Sequence, residues 1–331
     1  MAWYSMESSA EGTAVPPESV NLLTAIQRGS LFPKEPFNCK IHSLFAHAVN
    51  LEIPGFPLLY TLVNQEFLMH PLAALISNSG YTSFESLKLQ TGQSGYFDGM
   101  SLTLGPTCRI SFPKVRTARA CDERVPDLNL SHGEFQDQLD LAGQALEYAQ
   151  TQKDTELRWN SAKRQPYYRL SGSKQNWAPF SEAANSIALA LHEEKISKAL
   201  TATLQLVGLG QGLTPSGDDF LCGFILALCM GHTEPLILDT WLWGLANELG
   251  VGELPAKTTK ELTSRVSKTF LYLATRKRFS KLLLQMGRSY SKDPASWMSF
   301  LSLLETYGHS SGLDSATGFL YGMATVDKRR N

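Results

Sequence analysis

One short pattern occurs twice in this chain, and it constrains the fold more than anything else in it. Ser-Gly-x-Asp-x-x-x-Gly-Phe spans residues 216–224 and returns at 311–319. Ser216, Gly217, Asp219, Gly223 and Phe224 answer to Ser311, Gly312, Asp314, Gly318 and Phe319. Behind each polar corner the chain is apolar nearly all round: Phe220, Leu221, Phe224, Ile225 and Leu228 after the first, Phe319, Leu320 and Met323 after the second. A helix without a polar face is buried on all sides. Cys222 and Gly223 on one helix, Gly318 and Gly322 on the other, leave small faces that permit close approach. The pattern therefore predicts two core helices lying side by side, with both N-termini aimed at one place.

The first corner is the richer. Gly208, Gly210 and Gly212 alternate through the approach, followed by Thr214, Pro215, Ser216, Gly217, Asp218 and Asp219. Such a backbone ahead of a helix start can turn several N–H groups onto one anion, which the helix dipole also favours. Capping offers a plainer reading of the same residues. Ser216 with Asp219, and Ser311 with Asp314, fit a capping box with Asp in place of Glu, and Thr214–Pro215 is an alternative helix start. Capping leaves Asp218 surplus, since one box needs one carboxylate. The two adjacent carboxylates, Asp218 and Asp219, could orient an amide or amine, or carry a divalent metal with water. His309 directly precedes Ser310 and Ser311; it is either a structural histidine or a donor to a carbonyl or phosphoryl oxygen. Among the cations of segment 258–288, which read mostly as a solvated face, Arg265 beside Val266 is the one expected to turn inward.

The rest of the chain frames these corners. Punctuation by Gly and Pro is dense from about 38 to 117, and apolar runs at 42–51, 57–63, 87–90, 99–104 and 107–112 read as strands. Pro54-Gly55 and Gly105-Pro106 mark hairpin turns, and 71–77 reads as a short helix. After Pro126 the period becomes helical: Phe135, Leu139, Ala142, Leu146 and Ala149 share a stripe behind Ser131 as N-cap. Residues 153–179 read as a loop or crossing segment. Further helices are expected at 181–206, 218–230, 236–249, 258–286, 295–307 and 314–324. The fold class is α+β: a loose polar leader (1–37), a β-rich N-terminal domain (38–125) and a helical domain carrying both motifs (126–331).

Bulk properties exclude several classes. A net charge of −1 over 331 residues argues against a broad nucleic-acid-binding face. No apolar run reaches the roughly 18 residues of a membrane span. Five scattered cysteines with no Cys-x-x-Cys pair read as reduced thiols in the cytoplasm. No phosphate-binding Walker loop, dinucleotide fingerprint, nucleophile elbow or His-Glu-x-x-His is present.

At Gly-Leu-Thr-Pro-Ser-Gly-Asp-Asp (212–219) and Gly-His-Ser-Ser-Gly-x-Asp (308–314) the chain resembles the AllH family. His-Ala-Val-Asn-Leu (47–51) is similar to that family's N-terminal strand pattern, and Ser267 with 271–274 to the helix between the motifs. Lys277 and Arg278 stand where the family often has a glycine turn. The resemblance implies a subunit of oxamate carbamoyltransferase, working with other subunits in purine and allantoin nitrogen catabolism, where oxalurate and phosphate give oxamate and carbamoyl phosphate. It implies a small anionic ligand: phosphate, oxalurate or carbamoyl phosphate. On that reading Gly210, Gly212, Thr214, Ser216, Gly217, Arg265, Ser310, Ser311, Gly312 and Asp314 surround the anion. Asp218 and Asp219 orient the carbamoyl NH2 or a metal, and His309 polarises the carbonyl. A non-catalytic partner subunit, anion-binding or purely architectural, and a hydrolase of a small amide, are the alternatives.

Overall fold

A computed structural model of the chain describes residues 20–77, 83–117, 123–128, 130–169, 178–231, 233–252, 261–305 and 310–330. It has the expected class, a β-rich N-terminal part and a mostly helical C-terminal part. Strands β1 (Asn21–Arg28), β2 (Phe37–Leu44), β3 (Ala48–Glu52), β4 (Leu59–Val63), β5 (Ala73–Ile76), β6 (Ser94–Phe97), β7 (Ser101–Leu104) and β8 (Cys108–Ser111) are followed by the short β9 (Arg116–Thr117). Hydrogen bonding runs β5-β4-β3-β2-β6-β7-β8-β1, and β1 also pairs with β5. The sheet thus closes on itself, which removes the exposed strand edges an open sheet would carry. Phe32, Ile41, Val49, Leu51, Leu62 and Phe97 fill the interior.

Alternation explains why three of these strands read as apolar throughout. In β3, Val49 and Leu51 point into the barrel, so Asn50 points out, and it is still only 5% exposed. Thr61 and Val63 of β4 and Ala73 of β5 are likewise outward and buried. Their outer face is covered by the helical part, so the same strands are buried on both sides.

The helices are α1 (His132–Lys153), α2 (Ala178–His192), α3 (Ile196–Leu206), α4 (Ser216–Met230), α5 (Pro235–Glu248), α6 (Arg265–Thr275), α7 (Lys281–Lys292), α8 (Pro294–Glu305) and α9 (Ser311–Arg330). Ser131 caps α1 through a reciprocal bond with Glu134, as its sequence predicts. The pair α4 and α9 forms the centre. A Cβ built on Gly223 would lie 1.9 Å from the carbonyl oxygen of Ser315, and one on Gly318 would lie 1.9 Å from that of Phe220. Phe220 and Ser315 hold the same place in the repeated pattern. The two contacts are images of each other, so the helices cross about a local pseudo-two-fold axis. No helix among the described residues is long and apolar enough to cross a membrane.

Several expectations are corrected. Part of the supposed leader, 21–28, is β1, which closes the barrel: Ala25 faces the core while Leu22 lies open. The segment 71–77 is strand β5, because pairing with β1 and β4 overrides its helix-forming residues. Around 87–90 there is a 3-10 turn (Phe84–Leu87) in place of a strand. Within 153–179 lies a hairpin, β10 (Leu157–Asn160) with β11 (Gln165–Tyr168). The two long helices each break at a left-handed residue, Glu194 (φ 58) between α2 and α3 and Lys277 (φ 55) between α6 and α7.

Candidate functional site

The glycine loop takes left-handed backbone at Gly208 (φ 73), Gly210 (φ 116) and Gly212 (φ 89). Such φ values are strained for other residues. At Gly210 a side chain would also strike the backbone nitrogen of Ser216 at 2.7 Å. Asp218 fixes this loop. Its Oδ1 accepts from the backbone N–H of Gly208 at 2.9 Å, and its Oδ2 from the Thr263 hydroxyl at 2.5 Å. Burial raises its pKa, while Thr263, Gly208 and Ser267 pull it back. The next turn of the loop is held by α6, whose N-cap Ser264 donates to the carbonyl of Leu213 at 2.5 Å.

Asp219 has a different environment. It lines a cavity of about 190 Å³ with Thr214, Cys222, Ser311, Gly312 and Ser315, closed by Leu68, Phe270, Leu283, Met286 and Leu304. Its Oδ2 is buried and has no hydrogen-bond partner among the described residues. Burial pushes its pKa well above the usual carboxylate range, and the neighbouring Asp314 adds to the rise; the hydroxyls of Ser311 and Thr214 offset part of it. The direction of the shift favours the protonated, neutral form of Asp219 over the carboxylate.

The two corners meet here. Thr214 Oγ1 and Ser311 Oγ are hydrogen-bonded at 2.6 Å. Both also line a larger cavity of about 510 Å³ between barrel and helices, with Gln211, Gly212, Leu213 and Ser310 on the helical side. Across the domain boundary it is lined by Asn50, Thr61, Val63, Leu68 and His70. Leu68, Thr214, Phe270 and Ser311 are shared by the two cavities, so they adjoin. Thr61 donates to Asn50 Oδ1 at 2.9 Å, and Asn50 Nδ2 donates to Ser43 at 2.9 Å, which holds the barrel-side amide in place.

Other expected site residues sit elsewhere. Ser216 is buried as the first residue of α4; the N-cap is Pro215, with no side-chain cap bond, so the capping reading of the first corner fails. The Ser216 hydroxyl lies beside Asp314 and Tyr168. Asp314 is 1% exposed, and neither of its oxygens meets hydrogen-bond geometry with any described residue. Burial raises its pKa to about 7, with Ser216 and Ser310 lowering it and Glu156 raising it. Gly217 packs against the carbonyl of Leu206. Arg265 is not at the corners: it donates to Glu52 Oε2 at 2.7 Å and to the carbonyl of Phe56 at 2.8 Å, in a separate groove with Lys40 and Lys268. His309 lies outside the described residues. Among those described, no group of three or more His, Cys, Asp or Glu side chains is arranged to hold a metal ion.

Reading the sequence missed the barrel's contribution. Asn50 lies inside the 47–51 strand pattern, and an amide in an otherwise apolar strand was the available signal. Thr61 and His70 gave none, because only closure of the barrel against α6 brings them to the cavity. Thr263, which takes half of Asp218, was equally silent.

No solved structure matches this chain. The family model described as oxamate carbamoyltransferase subunit AllH matches residues 206–323, spanning both corners, α4 and most of α9. The model of the AllH family N-terminal domain matches residues 19–119, the whole barrel. Together they cover most of the chain, which belongs to the AllH family, named for a subunit of oxamate carbamoyltransferase.

Proposed function

We propose that this chain is the subunit of an oxamate carbamoyltransferase in which the adjoining corner cavities hold the carbamoyl group during its exchange between oxalurate and phosphate. The observation that carries the reading is the Thr214–Ser311 bond, which joins the two motifs at the wall of a cavity that Asp219 also lines. The reaction needs a phosphate oxygen to attack the ureido carbon, the C–N bond to break, and the departing nitrogen of oxamate to take a proton. Asp219, whose pKa is raised by burial and by Asp314, is suited to supply that proton. Thr214, Ser310 and Ser311, with the backbone of Gly212, supply neutral contacts to the ligand's oxygens. His309 keeps its proposed role at the carbonyl under attack. Asp218 does not share the chemistry, since both its oxygens are engaged; it holds the loop that presents Thr214.

A second reading has its own support. Among the described residues, neither corner cavity is lined by Lys or Arg. A dianionic phosphate in such a cavity lacks a countercharge, which favours a partner subunit completing the site, or a chain that binds without turnover. On either reading the protein works with other carbamoyltransferase subunits, in the cytoplasm, in nitrogen release from purines and allantoin.

The test is reconstitution with neighbouring-operon products and an assay for carbamoyl phosphate with each chain omitted. Activity that needs this chain, and falls on Asp219→Asn, upholds the catalytic reading. Full activity without the chain ends it; dependence on the chain with an active Asp219→Asn variant selects the binding subunit.

A further inference from the structure

His70 stands between a 3-10 turn (Glu66–Leu68) and β5, and the residue is 4% exposed. The backbone N–H of Leu72 donates to its Nδ1 at 3.3 Å. A ring nitrogen that accepts carries no proton, so in the neutral imidazole the proton sits on Nε2. Burial keeps the ring neutral, pushing its pKa down to about 4. Nε2 is itself buried and has no hydrogen-bond partner among the described residues. A buried N–H without an acceptor is costly and rare in folded proteins. The ring meets Phe270 edge-on, with centroids 5.4 Å apart, but an aromatic face is at best a weak acceptor.

His70 and Phe270 both belong to the wall of the 510 Å³ cavity that Thr214, Ser310 and Ser311 also line. His70 also borders a void of about 10 Å³, too small for a ligand. Among the described residues no Lys or Arg lines the larger cavity, so an oxygen-bearing ligand there meets neutral donors from them.

We infer that His70 is a positioning residue of the interdomain cavity, its Nε2–H donating to a carbonyl or carboxylate oxygen of the bound ligand, so that the barrel supplies part of the binding site. This rests on the reading of the corner cavities as the substrate site. It gives the N-terminal domain a part in recognition beyond that of a support.

Two substitutions separate recognition from structure. His70→Asn keeps an acceptor near the place of Nδ1 for Leu72 but loses the far donor. His70→Gln retains a donor near the place of Nε2. Oxalurate is titrated calorimetrically into the full-length chain assembled with its partner subunits. His70→Asn should bind about tenfold more weakly, the loss of one hydrogen bond to a charged or polar acceptor, and His70→Gln within about threefold of the parent. The unfolding midpoint of His70→Asn should stay near that of the parent. Parent-like binding by His70→Asn overturns the inference, as do equal losses in both variants accompanied by a falling midpoint. Ser311→Ala separates the two levels of argument. If it weakens binding while His70→Asn does not, only the role of His70 fails. If the parent assembly binds none of oxalurate, carbamoyl phosphate or phosphate, the cavity reading fails and His70 with it.

Discussion

The aspartate of the first corner lines a cavity; that of the second, built on the same nine-residue pattern, is sealed. Their packing is nearly identical. Gly223 and Gly318 press on equivalent carbonyls, and the serine of each corner lies beside the aspartate of the other, Ser311 by Asp219 and Ser216 by Asp314. What differs is the surroundings. Near Asp219 the neighbours are α6, α7 and the barrel, which leave room. Near Asp314 the β10–β11 hairpin brings in Tyr168, whose hydroxyl bonds Glu156 and sits by Ser216. The repeat supplies two chemically equivalent acids, and the elements packed over them make one accessible and seal the other.

Breaking the packing symmetry should have the largest effect. Gly223→Val and Gly318→Val each drive a side chain into backbone that cannot retreat, and each should cost on the order of 3 kcal/mol or more, read as a lower urea midpoint. Equal losses support the pseudo-two-fold arrangement; a tolerated Gly318→Val breaks it. Next comes turnover of the reconstituted enzyme. Asp219→Asn should lower kcat by about 100-fold, the ordinary share of a general acid, whereas Asp314→Asn should leave it within a few-fold. A comparable loss from both would place the sealed acid in the chemistry.

Stability against pH sharpens the same contrast. The folded-state pKa of Asp314 is raised from 3.8 to about 7. Between those values the folded protein holds a proton that the unfolded chain has lost, so its contribution is full below pH 3.8 and fades as pH rises to about 7. Asp314→Asn should therefore gain on the parent across that interval, by an amount on the order of a few kcal/mol, in denaturation midpoints at pH 5 and pH 8. A constant difference would mean that Asp314 ionises as freely as in the unfolded chain. A smaller effect is expected for Thr263→Val, which takes the short hydroxyl bond from Asp218 Oδ2: about 1–3 kcal/mol of stability, with kcat falling less than for Asp219→Asn. The smallest belongs to Arg265→Ala. Its partly exposed pair with Glu52 should contribute about 1 kcal/mol or less, with no change in turnover.

Much of the arrangement was legible in the chain. Apolar residues on every side of 220–230 and 316–324 required burial, and paired small residues required close contact, because both follow from composition on a helix. The meeting of Thr214 and Ser311 could be anticipated from that packing alone. The strand-rich start was readable from turn residues, yet β1 and β5 were not: a strand whose partners are distant in sequence takes its conformation from those partners. Arg265 was misplaced for a similar reason, since Glu52 and the Phe56 carbonyl that claim it lie more than two hundred positions away.

The sequence by itself determined that two aspartates, with the serines and glycines around them, would start two core helices that touch. It could not separate Asp218 from its neighbour Asp219, because adjacent residues at a helix start share every local property. Only the tertiary structure did so, by bringing Thr263 and the Gly208 amide to one carboxylate and empty space to the other. The same holds for the two corners. Burial and hydrogen-bond supply come from elements remote in the chain, and they decide which acid is structural, which is sealed, and which lines a cavity.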